Sequence, residues 1–179
     1  MQVLKLHIRE SKMTSETANE RRDRTRKEIK QLIEERNSVL AQYYNLARHS
    51  DNIDLEHSEN NPNSTLGLLE EFCQELVDYM AIGHFEIYRR IEDGTERRDE
   101  ITRLAEKIMP RINTTTQIAV AFNDLYDDTS NLDDEVINQL PTYLSQLGEE
   151  LATRIDLEDQ FINTLLMSSG KPALTAVNP

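Results

Sequence analysis

The chain has 179 residues, a formal net charge of −13, 37% hydrophobic residues, five glycines, five prolines and one cysteine. That length suits one domain with a substantial core. No apolar run approaches the ~18–20 residues that a membrane crossing needs, Lys5, His7 and Arg9 break up the apolar N-terminus as a secretory leader, and a lone Cys73 cannot close an internal disulfide, which points to a reducing cytoplasm.

Residues 1–15 read as a flexible tail: Leu4, Leu6 and Ile8 alternate as in a short strand, but no partner hairpin follows. A first helix is expected from Glu16, with a core stripe of Ile29, Leu32, Ile33, Arg36, Val39, Leu40, Tyr43 and Ala47. Residues 48–64 carry turn formers and a proline and read as a loop. The second helix is expected over Thr65–Ile91, stopping near Asp93-Gly94. Its stripe holds Leu69, Phe72, Cys73, Leu76, Val77, Met80, His84, Ile87 and Ile91, and a second row of Asp78, Ala81, Phe85 and Tyr88 runs along its flank.

A third helix is expected from about Thr95–Arg98 to Tyr126, with Pro110 either kinking it or splitting it at Met109. A fourth starts near Leu132, where Asp133, Asp134 and Glu135 suit a helix N-terminus, and continues to Met167 with a bend or restart at Pro141. Residues 170–179 read as a second flexible tail, leaving 16–169 as the folded domain. Four long stripes with modest connections predict an all-α, antiparallel four-helix up-and-down bundle with kinked later helices.

Charge is unevenly shared along the chain. Residues 1–48 hold eleven Lys/Arg against seven Asp/Glu, and the remainder holds nine against twenty-six, so the body carries about −17. Such a body repels nucleic acid and anionic membrane and attracts a basic partner. A charged surface of this size also keeps a protein in solution with no partner at all.

Three stripe positions are not apolar: Arg36, His84 and Glu158. Charges on an inner face must satisfy one another or line an open cleft. They therefore read either as a polar cluster fixing helix register or as a groove for a partner helix. A di-iron site needs repeated Glu-x-x-His pairs, and none of His7, His49, His57 or His84 follows a glutamate by three. Without a phosphate loop, a nucleophile elbow or a Cys–His motif, neither an enzyme nor a cofactor is expected. Asp78 lies about 100° off the stripe. It is expected to face solvent, beside an exposed aromatic pair, Phe85 and Tyr88, that has the character of an interface hot spot.

The run Glu71-Phe72-Cys73-Gln74, Leu76-Val77-Asp78-Tyr79 and Gly83-His84-Phe85-Glu86-Ile87-Tyr88 closely resembles the signature of the Rsd/AlgQ family, bacterial regulators that bind the primary sigma factor of RNA polymerase. Arg36-Asn37-Ser38-Val39-Leu40-Ala41-Gln42-Tyr43-Tyr44-Asn45-Leu46 resembles that family's first long helix, and Leu147-Gly148-Glu149-Glu150-Leu151 with Arg154 and Leu157-Glu158-Asp159 its last. Helix 1 in the family commonly carries an Asp-Arg-Trp triplet where this chain reads Lys30-Gln31-Leu32. The resemblance implies a helical bundle acting as an anti-sigma regulator. It would hold the basic C-terminal promoter-recognition region (region 4) of the primary sigma factor away from polymerase and the −35 element. It also implies a possible second partner, a phosphocarrier protein of the sugar phosphotransferase system. Asp78, His84, Phe85, Tyr88, Arg36 and Glu158 are the expected partner-binding residues, with no direct contact to nucleic acid or membrane. The rival expectation is a bundle that serves as an adaptor for another regulator or a stress enzyme.

Overall fold

The computed structural model describes residues 2–50, 64–83, 88 and 98–167. Four helices account for most of them: α1 (Gln2–His49), α2 (Thr65–Ile82), α3 (Asp99–Tyr126) and α4 (Asp134–Met167), with a short 3₁₀ turn at Thr129–Asn131 before α4. Among the described residues there is no strand, and the fold is an all-α four-helix bundle.

Local chemistry sets the helix ends. Ser64 caps α2 by accepting the Gly67 amide at 3.1 Å. Asp99 and Glu100 open α3, and Asp134 and Glu135 open α4, placing carboxylates where the helix dipole is positive. Arg48 and His49 close α1, where the dipole favours cations. α1 begins at Gln2, well ahead of Glu16, through the segment read as a tail. The sequence offers no obstacle there, since it is free of proline and glycine until Pro62. Pro110 and Pro141 each lie inside a helix that continues past them, so neither divides its element in two. The expected loop at 48–64 gives its first two residues to α1 and its last to the Ser64 cap, and its 51–63 portion lies outside the described residues, as do the stop at Asp93-Gly94 and the C-terminal tail beyond Gly170.

Tyr43 donates to the Leu144 carbonyl at 3.2 Å while Arg36 pairs with Asp159 at 2.7 Å, so α1 and α4 run in opposite senses. Tyr126 donates to the Val136 carbonyl at 3.0 Å while Thr116 meets Arg154 at 2.8 Å, so α3 and α4 do too. Phe72 sits at the centre of the core, edge-on to Tyr43 at 6.1 Å and to Phe122 at 5.8 Å. Gly148 allows α1 and α4 to close: a Cβ there would overlap the Tyr43 hydroxyl.

The core departs from the expected stripes in places. Leu40 is 37% and Val77 45% exposed, whereas Leu46 and Tyr79 are wholly buried. A 3.6-residue period leaves two adjacent positions competing for each inward slot. Leu46 takes the slot expected for Ala47, and Tyr79 is buried together with its neighbour Met80.

A buried polar layer and an acidic groove

Arg154 and Glu158 are one turn apart on α4, and that spacing points both side chains the same way, here inward. Each is 1% exposed. Two buried charges cost several kcal/mol of lost hydration unless every polar atom finds a partner. In this bundle the partners come from three helices. Arg154 Nε donates to Glu158 Oε1 at 2.9 Å, Tyr79 donates to Oε2 at 2.7 Å, and Tyr88 donates to Oε1 at 3.1 Å. Glu158 thus receives donors only, the pattern that a carboxylate satisfies.

The far side of the guanidinium is met by α3. Thr115 and Thr116 give their hydroxyl protons to the Ile112 carbonyl, at 2.7 and 3.1 Å. Their oxygens then accept from Arg154 Nη1, at 3.3 and 2.8 Å. The rings of Tyr79 and Tyr88 lie 5.3 and 5.8 Å from the guanidinium carbon, within cation–π range. Burial opposes the Arg154 charge, but Glu158 and the two phenols more than offset it and raise its pKa. Burial, and then the Glu158 charge, push both phenols up, so Tyr79 and Tyr88 keep their protons and act as donors.

Arg36 of α1 stands beside this layer. Its side chain is 11% exposed and is paired with Asp159, which is 53% exposed. Arg36, Tyr88 and Glu158, three of the six residues expected to bind a partner, therefore gather around one polar layer. Arg154, Tyr79, Thr115 and Thr116 were not anticipated there. The available signal was an arginine four residues before Glu158 on the inner face of the last helix.

Tyr88 is a correction. It was expected on the exposed flank of α2 and is 2% exposed. Gly83 and Tyr88 have π-helical backbone, in which i→i+5 pairing fits one extra residue into the turn. Tyr88 lies inward, its hydroxyl bonded to Glu158 and its ring 6.2 Å from that of Phe161. Gly83 makes the close packing possible: a Cβ at that position would stand 2.8 Å from Arg154 Nη2 and 3.2 Å from Tyr88 Cε2.

Asp78 lies apart from the layer. It is exposed, on the wall of a groove of about 490 Å³ formed by Glu70, Cys73, Gln74, Val77 and Asp78 of α2 with Asn123 of α3 and Asp127 just beyond it. Three carboxylates and the exposed Val77 give it an acidic rim with an apolar element. Burial, with Asp127 adding to it, pushes the Cys73 thiol up to about 12, so it is a neutral wall atom at physiological pH rather than a nucleophile. His84 and Phe85 lie outside the described residues. Among the described residues no group of three or more His, Cys, Asp and Glu is placed to hold a metal, and no helix is long and apolar enough to cross a membrane.

Comparison with known proteins gives one consistent picture. Residues 12–166 match the family model for "Regulator of RNA polymerase sigma(70) subunit, Rsd/AlgQ". Similar curated proteins named "Regulator of sigma D" include one from Yersinia enterocolitica, 38% identical over 111 residues, or 60% of this chain and 66% of the relative. Another, from Yersinia pseudotuberculosis, is 41% identical over 95 residues (52% and 56%), and one from Shigella dysenteriae is 38% identical over 98 (55% and 61%). The matched stretch thus spans between about half and two thirds of those relatives' length. No solved structure matches.

Proposed function

For a chain that belongs to the Rsd/AlgQ family of regulators of the RNA polymerase sigma(70) subunit, we propose an anti-sigma action: it binds region 4 of the primary sigma factor and keeps that region from polymerase and from the −35 element. The observation that carries this reading is the acidic rim of the groove, in which Glu70, Asp78 and Asp127 flank the exposed Val77. A DNA-reading domain is basic, and complementary fields speed encounter and select the partner. The body's excess of acidic residues acts in the same direction at longer range.

Asp78 is the first residue assigned to the contact, as an acceptor for arginine or lysine, with His84 and Phe85 beside it in the family signature. The mechanism is occlusion. A sigma surface covered by the bundle cannot also cover promoter DNA, and no chemistry is required of the regulator. Arg36, Tyr88 and Glu158 act in this scheme from below, by supporting the face rather than by touching sigma. The bundle works in the cytoplasm, where polymerase is.

Competition tests the reading. A labelled −35 promoter duplex bound to an isolated region 4 fragment is titrated with the full chain, and the duplex is expected to be released. Formation of a ternary complex, or retention of the duplex, rejects occlusion and favours the adaptor alternative.

A further inference from the structure

Residues 21–27 read Arg-Arg-Asp-Arg-Thr-Arg-Lys, five basic residues against one acidic, in a chain whose net charge is −13. They lie within α1, and the side chains of Arg22, Arg24, Arg26 and Lys27 are exposed. Arg26 is paired with Asp23 at 3.3 Å, whereas Arg22, Arg24 and Lys27 have no acidic partner among the described residues. Arg22 and Arg26 stand four apart and Arg24 and Lys27 three apart, spacings at which like charges weaken a helix. Folding gains nothing from such a strip, and solubility is already served by the acidic body.

The groove between α2 and α3 is the strip's complement. Glu70, Asp78 and Asp127 line it, no cation does, and none of the three is in an ion pair. One molecule cannot bring the two together. Tyr43 packs on Phe72 and the charge of Arg36 acts on Tyr79, so the groove lies level with residues 36–43 of α1. Lys27 precedes Tyr43 by sixteen residues, about 24 Å along the helix. Neither proline nor glycine interrupts α1, so the strip cannot fold back. The groove within its reach belongs to another copy. Two acidic bodies repel each other, and strip against groove is the arrangement that brings opposite signs into contact.

We propose that the basic strip of α1 docks in the acidic groove of a second copy, head to tail, with Arg22, Arg24 and Lys27 donating to Glu70, Asp78 and Asp127. The contact is heterologous, so each docked pair keeps one open groove and one open strip. Docking covers the surface assigned to sigma and limits its capture when the regulator is concentrated. That consequence rests on the sigma-binding reading, whereas the docking itself does not.

Sedimentation velocity of the full chain tests this, at low salt and at about 0.5 M salt, where exposed charges are screened. One variant neutralises the strip (Arg22→Gln, Arg24→Gln and Lys27→Gln) and another the groove (Glu70→Gln, Asp78→Asn and Asp127→Asn). All six positions are exposed, so both variants should keep the wild-type urea midpoint. Wild type is expected to sediment as dimers and larger species at low salt and as monomer at high salt. Each variant alone should associate roughly tenfold more weakly or worse. The sharpest arm is the equimolar mixture at low salt. One intact strip then meets one intact groove, and a one-to-one dimer with nothing larger should form. A monomeric mixture overturns the proposal, and so does association that either variant retains. Wild type that stays monomeric at low salt overturns it too, and a DNA duplex added to that sample shows whether the strip takes nucleic acid instead. Isolated region 4 is titrated last and should convert associated wild type into one-to-one complexes. If region 4 fails to bind while association follows strip and groove, the sigma reading falls and the docking stands.

Discussion

Glu158 and Asp78 are carboxylates of one bundle handled in opposite ways. Glu158 is enclosed, and Arg154, Tyr79 and Tyr88 use its lone pairs. Asp78 stands exposed on a groove wall among other carboxylates, with no cation among the lining residues. The enclosed one can only organise the protein, because anything that reached it would have to take the core apart. The open one adds little to folding and is available to a partner. The bundle thus combines a polar interior that fixes geometry with an acidic exterior open to solvent.

Glu158→Ala should show the largest effect of any single change in the layer. It leaves the Arg154 guanidinium buried without its counter-charge, at a cost of about 3–5 kcal/mol in urea unfolding. Asp78→Ala should leave the urea midpoint almost unmoved. Similar losses from the two would erase the distinction drawn above.

Alkali should act next. Burial raises Cys73 from 9.0 to about 12 and Tyr126 from 10.0 to about 12, and Tyr79 and Tyr88 are raised as well. The folded chain holds these protons more tightly than the unfolded one. Stability is therefore complete below about pH 9 and declines as pH climbs toward 12. A thermal-melt series from pH 7 to 11 reads this directly, and a flat series would contradict the burial of these groups.

Tyr79→Phe keeps the ring but strands Glu158 Oε2, and about 1–3 kcal/mol should be lost. Asp159→Asn comes last. Its pair with Arg36 is short, but Asp159 is half exposed, and such pairs are worth about 0–1 kcal/mol. Both follow from urea midpoints measured side by side.

Much of this division was legible before the fold was known. The helical pattern, the four elements and the inward Glu158 follow from apolar spacing alone, because burial of one face dominates helix packing. Asp78 was placed on the surface by the same reasoning. The layer's other members were not legible. Arg154 neighbours Ile155, and residue type favoured the isoleucine for the inner slot, although Ile155 is only half buried and Arg154 fully so. Tyr79 was likewise passed over for its apolar neighbour Met80, although both are buried. The inward Tyr88 is held by Glu158, 70 residues further along the chain. Tertiary pairing, unlike periodicity, has no signature in a single sequence.

We propose that this bundle captures a basic sigma domain through its acidic α2 face. Calorimetric titration of the full chain with isolated region 4 of the host's primary sigma factor, at low salt, tests it most directly when repeated with Asp78→Ala combined with Phe85→Ala. Submicromolar binding that weakens with added salt and vanishes in the double variant is the predicted result. An absence of heat at low salt, or binding that the double variant leaves intact, would contradict it.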